Sequence, residues 1–559
     1  MRVIIIGGVA GGASAAARLR RLDESAEIIL LERGEYVSFA NCGLPYYIGG
    51  EIKQKSALTV QTPESLRSRL NLDVRTGQEA VGIDPAKKQV EILDRNKGLR
   101  YQEHYDKLIL SPGAEPLRPA FPGVDDERVF TLRNIPDTYR IDSYIKKQRP
   151  GRALVVGGGF IGLEMAENLV RAGLQVTVAE KAGHVIASLD QEMAPEVHRY
   201  LERKGIRLLL ENGIKAIKPH SDYLQVKLDH GEIDTDLVLL SIGVRPESAL
   251  AQTAGLAVNE RGAILTDEHM RTSDPNIYAV GDAVEVRQQV TGQPAYIPLA
   301  GPANKQGRIA ADHIAGISRT YGGTQGSAIV KIFDMAVGTT GINEAAARSL
   351  GISYDKIYLL SASHAGYYPG AAPLHMKVLF EQKNGRILGA QIVGGEGVDK
   401  RLDVLAVAVR HNLSAEDLTE LELAYAPPFS SAKDPVNMAG FMIQNLLEGN
   451  VVQYHLDEVS RLVESGAQII DVRTSGEYSM GHIEGAKNIP VDDLRMRMAE
   501  ADKDHPVYLY CQSGHRSYLA ARILSAHGYD ARHLAGGYYL YSAVASSHTA
   551  MSGCSYCPN

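Results

Sequence analysis

Two cysteines stand in surroundings that could support sulfur chemistry. Cys42 lies in SFANCGLPY, and the next cysteine along the chain is Cys511. An intramolecular dithiol is therefore not expected, so a reactive disulfide or persulfide at Cys42 would take its second sulfur from a substrate. The alternative interpretation is a buried, inert thiol.

Cys511 follows the apolar run VYLY and begins the segment CQSGHRS. Gly514 permits a sharp turn in which several backbone N–H groups point inward, and Arg516 adds positive charge. Such an anion-binding loop favours a thiolate that can carry a sulfane sulfur, whereas a structural cysteine at a strand end is the alternative. Cys554 and Cys557 form C-x-x-C, but without a second pair of ligands we favour a flexible tail and predict no metal site.

A glycine pattern typical of dinucleotide binding occurs in RALVVGGGFIGLEMAENLVRAG. Gly157, Gly159 and Gly162 complete G-x-G-x-x-G between a β-branched run and a helix-forming stretch, where a tight turn and a close approach to pyrophosphate are needed. The next apolar run ends at Glu180, which would bind an unphosphorylated ribose and repel a 2′-phosphate. NADH is therefore favoured over NADPH, and a purely structural turn is the alternative.

A less regular copy of this pattern opens the chain. Gly7 and Gly12 take the first and third glycine positions, but Val9 stands in the second. Glu32 ends the following strand, and Asp282 lies just past the carboxyl end of another, where open α/β sheets bind ligands. Two nucleotide sites imply a relay in which a nicotinamide reduces a flavin, and we expect Cys42 to react beside that flavin.

The elements that position these residues are those of a globular multidomain protein. The 559 residues suggest three or four folding units of about 150 residues each. Hydrophobic residues make up 44% and charged residues 22%, which excludes a disordered or coiled-coil protein. The net charge of −7, without long blocks of like charge, argues against a nucleic-acid partner.

An apolar stretch from Val3 to Ala17 imitates a signal peptide, but glycines interrupt it. No run reaches the roughly 18 apolar residues of a membrane span. The few, scattered cysteines suit a reducing compartment. We therefore expect a soluble, cytoplasmic protein with no membrane partner.

The sequence resembles two known families. Residues 1 to about 448 resemble the single-cysteine pyridine nucleotide–disulfide oxidoreductases, specifically the coenzyme A-disulfide reductases, through SFANCGLPY, SHAGYYPG and ELAYAPPFSSAKD. Residues from about 455 to 545 resemble a rhodanese domain through DVR, GHIEGAKNIP and CQSGHRS. The fused pair is similar to the NADH-dependent persulfide reductases.

This resemblance implies an α/β fold with two Rossmann-like domains, an α+β dimerisation domain and a C-terminal rhodanese α/β domain. It also implies FAD, NADH (or NADPH), coenzyme A as substrate or ligand, and a homodimer whose partner subunit completes each site. The expected divisions are a FAD-binding domain (1–112 and 245–325), an NAD(P)H-binding domain (113–244), a dimerisation domain (326–448), a linker (449–456), the rhodanese domain (457–545) and a flexible tail (546–559).

Site residues follow from the motifs together with the resemblance. Cys42 is the expected redox nucleophile, Tyr367 (or its rival Tyr368) and Tyr425 would reach it from the partner chain, and Cys511 with Arg516 would carry sulfur. Leu70 and Asn304 depart from the coenzyme A-contacting lysine and histidine of some relatives. Contacts to coenzyme A are expected from Arg18, Arg21, Ser38, Asn41 and Lys433. Cofactor contacts are expected from Gly7, Gly8, Gly12, Glu32, Arg33, Ser111, Gly113, Gly157, Gly159, Gly162, Glu180, Gly243, Gly281, Asp282 and Ala300.

The sequence thus predicts a FAD-dependent reductase of coenzyme A persulfide or polysulfide that releases hydrogen sulfide and receives sulfur through the rhodanese domain from a sulfane-sulfur donor. A coenzyme A-disulfide reductase is the first alternative. An NADH oxidase or peroxidase, in which Cys42 passes through a sulfenic acid, is the second. A non-catalytic sulfur carrier or redox sensor is the third.

Overall fold

The computed structural model describes residues 1–552, so Cys554 and Cys557 lie outside the described residues. Two compact units are present: residues 1–185 with 201–326, and residues 186–200 with the chain from Ser327 onward. Each unit is described by itself. Among the described residues, no helix is long and apolar enough to cross a membrane.

The first unit is built mainly of short strands. Its strands are, in chain order, β1 (Arg2–Ile6), β2 (Glu27–Glu32), β3 (Asp73–Thr76), β4 (Gln78–Asp84), β5 (Gln89–Asp94), β6 (Leu99–His104), β7 (Lys107–Leu110), β8 (Ala114–Pro116), β9 (Val129–Phe130), β10 (Arg152–Val156), β11 (Gln175–Ala179), β12 (Arg207–Leu209), β13 (Ile214–Pro219), β14 (Leu224–Leu228), β15 (Glu232–Thr235), β16 (Leu237–Leu240), β17 (Val244–Pro246), β18 (Ile277–Ala279), β19 (Val286–Arg287) and β20 (Pro294–Ala295).

Helices follow the central strands of this unit. The first eight α-helices of the chain are α1 (Ala10–Leu22), α2 (Leu44–Ile48), α3 (Pro63–Leu70), α4 (Ile135–Gln148), α5 (Phe160–Arg171), α6 (Ala194–Arg203), α7 (Ala249–Thr253) and α8 (Ala300–Ile314), of which α6 crosses the boundary between the units.

Two five-stranded sheets in the first unit share one plan. Their strand orders are β18-β7-β1-β2-β3 and β12-β11-β10-β16-β9, and the pairings within each are parallel. The central strands β1 and β10 are apolar after their first residue and almost wholly buried, as expected where helices cover both faces of a parallel sheet. Each leads through a glycine turn into a helix, α1 or α5. The predicted pair of Rossmann-like βα units is confirmed.

Two short strands, which follow β7 and β16 of the parallel sheets, pair with each other. Strand β8 lies antiparallel to β17, with Ala114 opposite Pro246 and Pro116 opposite Val244. Each parallel sheet is accompanied by a three-stranded antiparallel sheet, β4-β5-β6 or β13-β14-β15. A parallel sheet with an antiparallel companion therefore occurs twice in this unit.

The second unit contains an antiparallel and a parallel sheet. Its strands are β21 (Ala328–Ile332), β22 (Met335–Gly341), β23 (Tyr354–Ala362), β24 (Pro373–Glu381), β25 (Ile387–Gly394), β26 (Val452–Tyr454), β27 (Gln468–Asp471), β28 (Lys487–Asn488), β29 (Val507–Tyr510) and β30 (Ala531–Leu534). Its helices are α9 (Glu344–Ser349), α10 (Val398–Arg410), α11 (Ala415–Glu420), α12 (Pro435–Leu447), α13 (Val459–Glu464), α14 (Ser475–Ser479), α15 (Leu494–Arg497), α16 (His515–Ala526) and α17 (Gly537–Ser552).

The antiparallel sheet has the order β21-β22-β25-β24-β23. A buried ionic cluster holds the inserted segment 186–200 to it. The ammonium of Lys377, which is fully buried, contacts carboxylates of Asp190, Glu192 and Glu344. Among the described residues, these three carboxylates are close enough together to hold a metal ion. The ammonium of Lys377 already occupies the space between them. Removal of one partner would leave a buried charge uncompensated.

The parallel sheet, of order β26-β30-β29-β27-β28, forms the carboxyl-terminal α/β domain. Strand β26 falls within the expected linker 449–456, yet it pairs with β30 and so extends the sheet. The last helix, α17, continues past residue 546, where the tail was expected to begin. The other domain boundaries stay predictions.

Candidate active sites

The first glycine turn is packed so closely that side chains do not fit at two of its positions. Gly7 has φ of 96°, and a Cβ there would lie 2.0 Å from the carbonyl oxygen of Ser111. A Cβ at Gly12 would lie 1.9 Å from the carbonyl oxygen of Gly7. Only glycine therefore allows the strand, turn and helix to approach this closely.

The second turn repeats this geometry. Gly157 has φ of 108°, and its Cβ would lie 2.2 Å from the carbonyl oxygen of Ser241, while a Cβ at Gly162 would lie 2.0 Å from Gly157. Gly159 differs from both because no atom lies within 4 Å of a Cβ placed there. Its glycine is not required by the protein's own packing, which suits a backbone that a pyrophosphate approaches.

A carboxylate lies beside each turn. Glu32 accepts hydrogen bonds from the N–H groups of Gly8 (3.1 Å) and Gly34 (2.9 Å). Glu180 accepts them from Gly158 (2.6 Å) and Ala182 (2.8 Å). The predicted ribose-binding acids are therefore fixed at the glycine turns by backbone donors.

Further predicted cofactor residues gather around the first turn. The N–H of Gly281 donates to buried Gln306, and a Cβ at Gly281 would lie 3.8 Å from Oγ of Ser111. Burial raises the pKa of the Asp282 carboxyl. Helix α8 begins at Ala300 and packs against α1. These close-packed glycines and carboxylates fit a dinucleotide.

Of three other predicted residues, Gly113 and Gly243 lie on the connections that lead to β8 and β17, and Arg33 follows β2. Gly113 and Gly243 have φ of 77° and 108°. The guanidinium of Arg33 forms a salt bridge with Glu247, which also pairs with Arg133 at 2.6 Å. Arg33 is thus bound by the protein's own carboxylate, which the sequence did not predict.

Cys42 lies in a short 3₁₀ helix, Asn41–Gly43, directly before α2, and it is exposed. Although the residue is exposed, neighbouring groups partly desolvate the sulfur, which raises the pKa of the thiol, and the charges of Glu164 and Asp282 raise it further. Ser38, just upstream, has φ of 46°, a strained conformation for a non-glycine residue, and its carbonyl accepts from the N–H of Val60. The backbone conformation of the segment before Cys42 is therefore fixed by contacts with the surrounding chain.

Glu164 is a site residue that the sequence interpretation missed. It lies on α5, and its Oε1 accepts a 3.2 Å hydrogen bond from the hydroxyl of Tyr46 on α2. Burial raises the pKa of Glu164 to about 7. An acid within the apolar segment GFIGLEMAENL was the available signal.

The predicted coenzyme A contacts are divided between the two units. Arg18 donates from Nε to buried Asp312 at 2.6 Å, while Arg21 and Asn41 are exposed. Asn304, the position that departs from relatives, bonds with Ser14. Lys433 is exposed in the second unit.

An exposed tyrosine pair lies in the second unit. The hydroxyls of Tyr367 and Tyr425 are 2.9 Å apart, and these side chains are 75% and 47% exposed. Their hydrogen bond raises the pKa of Tyr367. Tyr368 instead packs its ring edge-on against buried His364, with centroids 5.6 Å apart. The geometry therefore pairs Tyr425 with Tyr367 rather than with its rival.

Cys511 is buried at the end of β29. The N–H of Gly514 points at its sulfur from 3.2 Å, and Gly514, with φ of 99°, caps α16. Arg516, which was expected to add positive charge here, forms two hydrogen bonds of 2.6 and 2.7 Å with Glu477, and that carboxylate offsets part of its charge. Those bonds hold the pKa of Glu477 down to about 2.

Arg473 also supports this loop, a role that sequence reasoning missed. It bonds to both oxygens of Asp471 and donates to the carbonyl of Gly481 at 2.6 Å. Its guanidinium lies 4.0 Å from the ring centroid of Tyr538. The conspicuous DVR segment was the available signal.

Three family models match the chain. The pyridine nucleotide-disulphide oxidoreductase model matches residues 1–307, its dimerisation domain matches 327–435, and the rhodanese-like domain matches 455–543. These matches confirm the predicted fold class.

Curated relatives and solved structures agree with these matches. The coenzyme A disulfide reductase of Staphylococcus epidermidis is 36% identical over 445 residues, which cover 79% of this chain and 100% of the relative. The structure of reduced Bacillus anthracis CoADR-RHD matches with a TM-score of 0.96 at 49% identity, covering 98% of both chains. A NAD-dependent persulfide reductase from A. fulgidus matches with a TM-score of 0.90 at 36% identity, covering 97% of this chain and 100% of that one.

Proposed function

Because the chain belongs to the pyridine nucleotide-disulphide oxidoreductase family and carries a rhodanese-like domain, we propose that it reduces coenzyme A persulfide or polysulfide with NADH and releases hydrogen sulfide. The observation that carries this proposal is the presence of two different thiol sites in one chain. Cys42 lies within the electrostatic influence of Glu164 and Asp282, and the sulfur of Cys511 receives the backbone N–H of Gly514. If the substrate were coenzyme A disulfide, Cys511 would have no role in the reaction.

The cofactors proposed are FAD and NADH, with NADPH also possible. FAD would be held by Gly7, Gly8, Gly12, Glu32, Ser111, Gly281 and Asp282, and the nicotinamide cofactor by Gly157, Gly159, Gly162 and Glu180. Once bound, the pair supplies two electrons to a sulfur at Cys42.

At Cys42 the proposed reaction is a thiol–disulfide exchange. The thiolate attacks the carbon-bound sulfur of coenzyme A persulfide, so that a mixed disulfide between Cys42 and coenzyme A forms and HS⁻ leaves. Two electrons and one proton then restore the Cys42 thiolate and release coenzyme A thiol. Glu164, with its raised pKa, can hold a proton near this thiol at neutral pH.

Coenzyme A is proposed to lie along Ser38, Asn41, Arg18 and Arg21. The bond from Arg18 Nε to Asp312 orients the guanidinium, whose terminal nitrogens suit a phosphate. We further propose a homodimer, as the dimerisation-domain match suggests. In it the exposed pair of Tyr367 and Tyr425, with Lys433, would face Cys42 of the other subunit.

The proposed role of Cys511 is to carry sulfur. Its thiolate takes the outer sulfur from a persulfide donor, the donor leaves as a thiol, and the Cys511 persulfide passes that sulfur to coenzyme A thiol. The buried sulfur and the N–H of Gly514 suit a carried anion.

Anaerobic NADH oxidation with coenzyme A persulfide, polysulfide and coenzyme A disulfide, compared by kcat/KM, tests the substrate. We expect the persulfide to rank first. A higher value for the disulfide would establish the coenzyme A-disulfide reductase instead, which the staphylococcal relatives favour. Turnover driven by oxygen alone would establish an oxidase.

Two variants test the division of labour between the thiols. Cys42→Ser should abolish NADH-dependent reduction of every sulfur substrate while bound FAD is retained. Cys511→Ser should spare reduction of coenzyme A persulfide and abolish sulfur transfer from a donor. Equal losses in both variants would refute separate roles.

A further inference from the structure

The loop that carries Cys511 rests on the first turn of the last helix, α17. The N–H groups of Tyr538 and Tyr539 donate to the carbonyl oxygens of Cys511 (2.8 Å) and Gln512 (3.0 Å). A Cβ at Gly537 would lie 2.7 Å from the same Cys511 oxygen. A shift of this turn must therefore move the backbone of the loop.

The opposite side of the same turn packs on the antiparallel sheet. A Cβ at Gly536 would lie 3.4 Å from the ring of Tyr358 on β23. The ring of Tyr539 meets His375 on β24 edge to face, with centroids 4.7 Å apart at 78°. The first turn of α17 is thus held between the sheet and the Cys511 loop.

Polar side chains surround this contact, and burial lowers the pKa of His375 to about 4, so that its imidazole is neutral. His375 is paired through Nδ1 with the carboxylate of Glu196. The guanidinium of Arg199 lies 5.5 Å from the ring centroid of Tyr539 and donates to its hydroxyl at 3.4 Å. All four side chains line a cavity of about 30 Å³, which Ser513 of the Cys511 loop also lines. This small cavity leaves room for a few water molecules and not for a ligand such as coenzyme A, so its walls act as packing.

A second contact secures the start of the rhodanese-like domain. His455 Nε2 lies 2.9 Å from a carboxylate oxygen of Asp355 on β23, and Gln453 donates to the carbonyl of Lys356 at 2.9 Å. Among the described residues, these contacts attach the domain to the sheet at its start and at the first turn of α17, and the second attachment leads directly to the Cys511 loop.

We infer that His375 and Tyr539 are positioning residues for Cys511: the sheet of the dimerisation domain holds the first turn of α17, and that turn sets the backbone donors around the sulfur. The reactivity of Cys511 then depends on a residue outside the rhodanese-like domain. The inference rests on the proposed function only in treating Cys511 as the reactive thiol of that domain.

The test measures alkylation of Cys511 by iodoacetamide, in which the thiolate displaces iodide, across a range of pH. Peptide mass spectrometry on the full chain follows the Cys511 and Cys42 peptides separately, so Cys42 serves as the internal reference. We expect His375→Ala to slow alkylation of Cys511 on the order of tenfold and to move its pH profile upward, with Cys42 unchanged. His411→Ala, at an exposed histidine that ends α10, is the matched control.

Two further variants keep the result decisive. His375→Gln retains a planar hydrogen-bonding group and should restore most of the rate. Tyr539→Leu keeps the backbone N–H but removes the ring, so it should reproduce the His375→Ala effect, and the double variant should add little. An unchanged Cys511 profile in either single variant, or a parallel loss at Cys42, overturns the inference. If the variants show the expected alkylation of Cys511 but the wild type transfers no sulfur from a donor, the inference stands and the proposed function is refuted.

Discussion

The hydroxyl of Tyr46 donates a 3.2 Å hydrogen bond to Glu164, a carboxyl group whose pKa burial raises to about 7. The charge of Glu164 is, after burial, the main influence that raises the pKa of Cys42. The acid and the thiol are therefore linked: a proton on Glu164 makes the Cys42 thiolate easier to form. Since the acid titrates near neutral pH, this linkage operates under ordinary conditions.

Substitution Glu164→Gln should lower the pKa of Cys42, because it removes a nearby negative charge. The pH at which Cys42 is half-alkylated by iodoacetamide should fall by roughly one unit or less. Glu51→Gln, at an exposed acid that pairs with Arg171, is the control and should leave the profile unchanged. An upward or absent shift in Glu164→Gln would contradict the linkage.

The same acid should make the first unit less stable as pH rises. Its pKa is raised from 4.5 to about 7 in the folded protein, so the folded state binds the proton more tightly than the unfolded state. Stability is therefore lost as pH rises from about 4.5 through 7, by up to about 3 kcal/mol. We expect the thermal midpoint of Glu164→Gln to exceed that of the wild type increasingly over this range. A constant difference would show that the carboxyl does not titrate there.

Substitution Glu477→Gln should increase the reactivity of Cys511. It leaves the charge of Arg516 uncompensated near the sulfur, which favours the thiolate. We expect alkylation of Cys511 at pH 7 to accelerate by about threefold to tenfold, and the gain to diminish at high salt. Glu500→Gln breaks a similar two-bond pair with Arg497 in the same domain and is the matched control. Equal effects of both substitutions would exclude a role specific to Arg516.

The parts of the sites that the sequence predicts are those determined by local geometry. Four glycines can be recognised in the sequence because no other residue fits at their positions. A Cβ would collide with a backbone carbonyl oxygen at Gly7, Gly12, Gly157 and Gly162. Their flanking β-branched runs then identify the central strands of both parallel sheets.

The parts that the sequence does not predict depend on contacts between distant segments. Glu477 neutralises Arg516 from 39 residues away, and Tyr46 reaches Glu164 only because α2 packs on α5. No spacing rule encodes such side-chain pairings. Strand β26 was assigned to a linker for the same reason, since three residues acquire strand structure only when β30 is beside them.

Substitution Glu180→Gln should weaken discrimination against NADPH. The carboxylate lies at the second glycine turn, where its charge would repel a 2′-phosphate. We expect the ratio of kcat/KM for NADPH to that for NADH to rise by about tenfold, with flavin absorbance unchanged. Glu202→Gln, at an exposed acid on α6, should leave the ratio unaltered. A loss of activity with both cofactors and no change in their ratio would point to a structural role.

The hydroxyl pair of Tyr367 and Tyr425 should act as one unit. Because the two oxygens are 2.9 Å apart, removal of either one breaks the hydrogen bond that orients the other. Tyr367→Phe and Tyr425→Phe should each lower kcat/KM for coenzyme A persulfide by at least about tenfold, and the double variant should fall little further. Tyr368→Phe, next to the pair but packed on His364, should remain near wild type. Both residues are on the surface, so thermal midpoints should not change. Additive losses would mean that the two hydroxyls act independently. An equal effect of Tyr368→Phe and Tyr367→Phe would mean that the reaction does not depend on Tyr367 in particular.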